Sequence, residues 1–146
     1  MAFDADATAR IARPREEVFG YLADPRNEPY WLPGARSVQM LGDGPVTLGS
    51  RFVGEYARAG RVELEVVDFE PPSRVTFRAR SRVVNFDDAV ELTDADGVTL
   101  LTAHMTAQPR GLMRLFGPAM ARTMRSQFST NWDHLRAALE TNSQTS

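Results

Sequence analysis

Residues 111–140 read GLMRLFGPAMARTMRSQFSTNWDHLRAALE. Leu112, Phe116, Met120, Met124, Phe128, Trp132, Leu135 and Leu139 recur at intervals of four, with a single interval of three. Such spacing places side chains on one stripe of an α-helix. Gly117-Pro118 interrupts the stripe, because proline has no amide to give to the preceding turn and its ring crowds the carbonyl four residues back. The segment therefore predicts a short piece from Arg110 to Phe116, acting as a mobile flap, and a main helix from about Pro118 to Glu140. At 1.5 Å per residue that helix is roughly 34 Å long, enough to cross a whole sheet. Thr141 to Ser146 is polar and is expected to fray beyond it.

What precedes the helix has a different period. From Ala35 to Ala107 apolar residues alternate with polar ones, as on a half-buried strand. The alternation predicts strands over Arg36–Leu41, Ser50–Arg58, Arg61–Phe69, Arg74–Arg80, Val83–Leu92 and Val98–Gln108. Gly42-Asp43-Gly44-Pro45, Ala59-Gly60, Pro71-Pro72 and Asp94-Ala95-Asp96-Gly97 supply the turns between them. Six successive strands with short joints form an antiparallel meander. Phe3 to Ile11 reads as a further strand. Pro14 suits the first position of a helix, where Glu16 and Glu17 favour the dipole and Val18, Phe19 and Leu22 form an apolar stripe. Asp24-Pro25 ends that helix, and a second short helical stretch runs from Arg26 to Trp31. The order is strand, two short helices, six strands and one long helix. Only the last helix is long enough to bury one face of a seven-stranded sheet.

Composition narrows the chemistry. The 146 residues, 42% hydrophobic and 25% charged, suit one domain, assigned to residues 1–140, with 141–146 as a tail. A net charge of -2 gives no overall bias toward nucleic acid or an anionic surface. No apolar run reaches membrane-spanning length, and the N-terminus lacks a secretory pattern, so a cytoplasmic protein is expected. There is no cysteine, and all 17 basic residues are arginine. Thiolate, disulfide and lysine Schiff-base chemistry are thereby excluded. His104 and His134 have no ligand partner at helical spacing, so neither a metal nor a cofactor is expected.

Several stretches carry a resemblance to a known family. They are Ile11-Ala12-Arg13-Pro14-Arg15-Glu16-Glu17-Val18-Phe19, Leu22-Ala23-Asp24-Pro25, Trp31-Leu32-Pro33-Gly34, Gly49-Ser50-Arg51-Phe52, Val67 to Val75, and Trp132 to Glu140. Together they resemble the START-like, or Bet v 1-like, superfamily, in particular its bacterial polyketide cyclase/dehydrase branch (SRPBCC). The resemblance implies an α+β helix-grip fold: a curved seven-stranded antiparallel sheet around the C-terminal helix, with two short helices between strands 1 and 2. It also implies a cavity for a hydrophobic or aromatic small molecule, and it carries over no universal catalytic residue.

Within that frame individual residues take roles. Val84, Phe86, Val90 and Leu92 share a strand face with Asp88, which puts a carboxylate in the inward register. Such an Asp is a ligand acceptor or a general base with a raised pKa, or it sits beside a bulge, or it pairs with an arginine. If Phe52, Gly54 and Tyr56 point inward, Glu55 is solvated and Tyr56 offers its hydroxyl to the cavity. Glu63 and Glu65 oppose Arg74, Arg78 and Arg80, as surface charge pairs or, less simply, a phosphate site. His104 falls on the outer face, His134 on a helix flank. Trp31 lines the cavity mouth or closes the core. Met120 and Met124, flexible fillers, serve as core or as cavity wall. The expected lining is Phe52, Tyr56, Phe77, Phe86, Met105, Met120 and Met124, with Asp88 among its few polar groups.

Three functions fit these residues: a carrier of a hydrophobic, lipid- or polyketide-like ligand; a cyclase/aromatase using Asp88 and Tyr56 as acceptor and donor for aldol condensation and dehydration; and a stress-related protein-interaction partner, which requires an exposed apolar patch.

Overall fold

The computed structural model describes residues 2–142. Its elements are β1 (Phe3–Ile11), α1 (Arg15–Leu22), a first 3-10 helix (Pro25–Tyr30), β2 (Ala35–Leu41), β3 (Arg51–Tyr56), β4 (Gly60–Glu70), β5 (Arg74–Arg80), β6 (Val84–Ala95), β7 (Val98–Pro109), a second 3-10 helix (Gly111–Phe116) and α2 (Gly117–Asn142). The seven strands form one antiparallel sheet in the order β1-β7-β6-β5-β4-β3-β2. The helix-grip architecture expected from the sequence is the one present. Helix α2 runs through Asn142, so Thr141 and Asn142 continue the helix instead of fraying, and the rest of the expected tail, residues 143–146, lies outside the described residues.

Antiparallel registers sort the turns between the two ends of the sheet. The β3–β4 turn, the β5–β6 turn, the end of β7, the second 3-10 helix and the start of α2 share one end. The β4–β5 and β6–β7 turns, the end of β1 and helix α1 share the other. The latter end is tied shut. Arg15 Nη1 donates to Ser73 Oγ at 3.2 Å, Thr99 Oγ1 to the Arg13 carbonyl at 2.7 Å, and the Ala12 amide to Glu140 Oε2 at 3.0 Å. Phe19 meets Phe69 with ring centroids 5.5 Å apart. Ile11, Val18, Leu92, Leu101, Leu135 and Leu139 are buried there, each contributing about 1.5–3 kcal/mol of transfer free energy.

The predicted break before α2 is present, with Pro118 the second residue of the helix and the piece before it in 3-10 geometry. The stripe itself splits. Phe128, Trp132, Leu135 and Leu139 are buried and Met120 and Met124 half-buried, but Leu112 and Phe116 are exposed, against the single continuous stripe read from the sequence. A 3-10 turn advances 120° per residue rather than 100°, so four-residue spacing does not carry a helical face across it.

Candidate functional site

The concave face is apolar almost throughout, and alternation explains it. Phe52, Val62, Leu64, Val66, Val75, Phe77, Ala79, Val84, Val90, Leu101, Ala103 and Met105 all point inward and are buried. Asp88 interrupts them in the same parity of β6, directly opposite Phe77 on β5 and Met105 on β7. The register runs unbroken on both sides of Asp88, so no bulge explains it, and among the described residues no arginine pairs with it. Its Oδ1 is shut away from solvent without a hydrogen-bond partner. Burial pushes the Asp88 carboxyl up to about 7.

Two further groups accompany it. The Tyr56 hydroxyl donates to Glu28 Oε1, across 28 residues of chain. Glu28 sits half-buried on the first 3-10 helix, and its carboxyl is pushed up to about 7. Loss of solvation is the main cause. The Tyr56 hydrogen bond works in the opposite direction, and the nearby Asp88 charge adds to the rise. Burial and the Glu28 charge together raise the Tyr56 phenol far above its usual value, so it stays protonated. Gly54 makes room for the Tyr56 ring: a Cβ there would stand 3.0 Å from Cζ and 3.0 Å from the hydroxyl oxygen, and closer still to Cε2. The result is two acids and a phenol in an apolar interior, poised to hold or exchange protons near neutral pH.

The residues expected to line a cavity divide. Tyr56, Phe86, Met120, Met124 and Asp88 are half-buried, so surface remains for contact. Phe52, Phe77 and Met105 are packed as closed core on the same face. Glu55 is exposed and Tyr56 inward, as the register reading required. Trp31 closes the core: it stacks on Trp132 at 5.8 Å, which in turn meets Phe128 edge-on at 5.6 Å. Its other edge helps line a separate groove of about 590 Å³ with Tyr21, Tyr30 and His134, which holds no buried acid. His104 is exposed, with Nδ1 2.6 Å from Asp6 Oδ1. On the outer face, Arg78 pairs with Asp87 at 3.1 Å, Arg74 with Asp68 and Glu70 at 2.9 Å, and Arg51 with Glu65 at 3.6 Å. These arginines are neutralised, which favours charge pairing over a phosphate site.

Glu28 is the residue that sequence reading did not reach. The stretch Pro25–Tyr30 has no usable periodicity, and its one signal is indirect. Arg26 is held by Asp24, at 2.9 Å, which leaves Glu28 without a local counter-charge.

The profile of the polyketide cyclase/dehydrase and lipid transport family matches residues 2–140. The chain belongs to that family. No curated protein matches it by sequence. Solved structures share the fold at low identity. A START superfamily protein from Mycobacterium smegmatis is 14% identical, with 98% of this chain and 99% of that one covered and a TM-score of 0.73. A protein of unknown function from Staphylococcus aureus is 12% identical, covering 99% and 97%, at 0.77. The di-domain aromatase/cyclase StfQ of the steffimycin biosynthetic pathway is 14% identical, covering 99% of this chain but 52% of its own, at 0.74. Among the described residues no helix is long and apolar enough to cross a membrane.

Proposed function

We propose that this family member binds a hydrophobic small molecule between the sheet and α2, and fixes the ligand's polar end on Asp88, Glu28 and Tyr56. The observation that carries this reading is the orphaned Asp88 Oδ1 in an apolar face. An unpaired buried oxygen costs about 1–3 kcal/mol, a cost that a donor on the ligand would remove. Half-buried Phe86, Met120 and Met124 pack against the same core and would supply adaptable apolar contact to such a ligand. The favoured ligand therefore presents a hydroxyl or N–H group at one end of an apolar body.

Titration with N-phenyl-1-naphthylamine, an apolar fluorophore with one N–H, tests this. Wild type should bind it. Met120→Trp should weaken binding at least about tenfold by filling space, with the helical circular-dichroism signal intact. Asp88→Asn should weaken it by about tenfold through loss of the charge-assisted bond. No binding by wild type, or unchanged binding in both variants, would sink the proposal.

One observation favours a second reading, cyclase/aromatase chemistry. Glu28 and Asp88 both lie near 7, beside a phenol that stays protonated. Aldol cyclisation and dehydration need such an acceptor and donor together. Absence of turnover of a poly-β-ketone thioester by the wild-type chain would remove this reading while leaving the binding reading in place, and turnover unchanged in Asp88→Asn and Tyr56→Phe would take these two residues out of the chemistry.

A further inference from the structure

Seven large hydrophobic side chains are exposed among the described residues, and three of them fall within five positions: Leu112 at 78%, Leu115 at 77% and Phe116 at 58%. All three project from the second 3-10 helix, at the end of the sheet opposite α1. That helix is fixed at its root, not loosely hung. The Arg110 amide donates to the Val83 carbonyl at 2.9 Å, and Arg110 Nη1 donates to the Ser81 carbonyl at 2.9 Å. The apolar knob therefore stands beside the β5–β6 turn and its exposed Arg82.

The segment that carries the knob is basic, with the acids Asp4 and Asp6 on neighbouring β1 lying beside His104. No acidic residue occurs between Asp96 and Asp133, a stretch that holds Arg110, Arg114, Arg122 and Arg125. Arg58, in the β3–β4 turn, is exposed at the same end. Arg125 lies over the Phe3 ring at 5.6 Å and donates to the Asp4 carbonyl. None of Arg58, Arg82, Arg110, Arg114 and Arg122 forms an ion pair among the described residues, whereas the outer-face arginines of β3 and β5 largely do. The net charge of -2 conceals this local excess.

We propose that this end of the molecule docks on a bilayer surface containing anionic lipids, with Leu112, Leu115 and Phe116 entering the acyl boundary and the arginines meeting lipid phosphates. Two weak signals are needed for stable peripheral binding, one apolar and one basic, and both are present on one small surface. Guanidinium groups suit phosphate oxygens through paired N–H donors. A convex knob of three side chains inserts into a soft layer more readily than it fills a rigid partner's pocket. The start of α2, with half-buried Met120 and Met124, lies at this end, so a docked molecule would present the proposed ligand space to the bilayer. The docking itself does not depend on that ligand.

Co-sedimentation of the full chain with vesicles tests the proposal. Binding is expected to vesicles of phosphatidylcholine mixed with phosphatidylglycerol, much less to phosphatidylcholine alone, and should weaken as salt is raised. Joint replacement Leu112→Ser, Leu115→Ser and Phe116→Ser should reduce partitioning by about 100-fold or more. Arg114→Gln should reduce it by about fivefold. These side chains are exposed, so circular dichroism and thermal midpoint should stay at wild-type values. Failure to bind the anionic vesicles, equal binding to both lipids, or wild-type binding by the triple variant would each overturn the proposal. A wild-type dimer that the triple variant dissolves, with no vesicle binding, would assign the surface to a second copy of the chain instead.

Discussion

The two ends of the grip are built from the same stripe of helix and behave differently. Toward the α1 end, Leu135, Leu139, Ile11 and Val18 are all buried, and in the middle of α2 Phe128 and Trp132 are buried with Trp31 stacked on Trp132. Side-chain bonds from Arg13, Arg15 and Thr99 lock the turns around them. At the opposite end the stripe continues as Met120 and Met124, which are only half-buried, and then as the exposed Phe116 and Leu112. Large rigid rings fill the first end, and flexible thioethers line the second. Rigid packing is concentrated at one end, and the other carries the orphaned Asp88 oxygen and half-buried, flexible side chains.

That contrast can be broken by mutation. Trp132→Ala should cost about 3–5 kcal/mol in urea unfolding, as expected for truncating a ring in a packed site. Met120→Ala should cost about 1 kcal/mol or less. Equal losses would mean that both ends are closed core.

A second comparison uses pH. Asp88 and Glu28 have folded values of about 7, above their values in the unfolded chain. The folded state therefore holds more protons than the unfolded state between about pH 4 and 7. Their contribution is most favourable below the unfolded values and is lost as pH rises through the folded ones. Asp88→Asn should remove its share of the slope. Relative to wild type, the variant should gain on the order of 2–4 kcal/mol between pH 4 and pH 8. Parallel stability profiles for the two proteins would show that Asp88 is solvated.

The smallest effects separate two glycines. Gly54→Ala, at the open end, should force the Tyr56 ring aside and break its bond to Glu28, at a cost of about 1–3 kcal/mol. Gly20→Ala in α1 meets nothing within 4 Å and should stabilise by about 0.5–1 kcal/mol through helix propensity. A neutral Gly54→Ala would show that the ring has another place to lie.

The strands were legible because a period of two also fixes which face each side chain takes. That is why the alternation alone puts Asp88 inward, whereas in β3 it leaves two registers for Glu55 and the fold decides for the outer one. Pro118 was legible as a break for a covalent reason. The orientation of Leu112 and Phe116 was not, because it depends on the turn geometry beyond the break. Glu28 was not either: a six-residue 3-10 helix containing two prolines has no repeating face, and only the tertiary approach of Tyr56 gives the carboxyl its setting. Local chemistry names the elements, and long-range contacts build the acid cluster.

The strand order has a consequence for how the chain assembles. β2 through β7 are joined neighbour to neighbour, so each pairing closes only a short loop. β1 pairs with β7 instead, bringing Phe3 opposite Ala107. During synthesis the first strand emerges earliest yet has no edge to join until almost all of the sheet exists. Bringing such distant segments together carries a larger entropy cost than any hairpin in the meander. α2 follows β7 in sequence and lies along β1, so the same late event that completes the sheet also completes the seat for the helix. The sheet therefore closes at its first strand last.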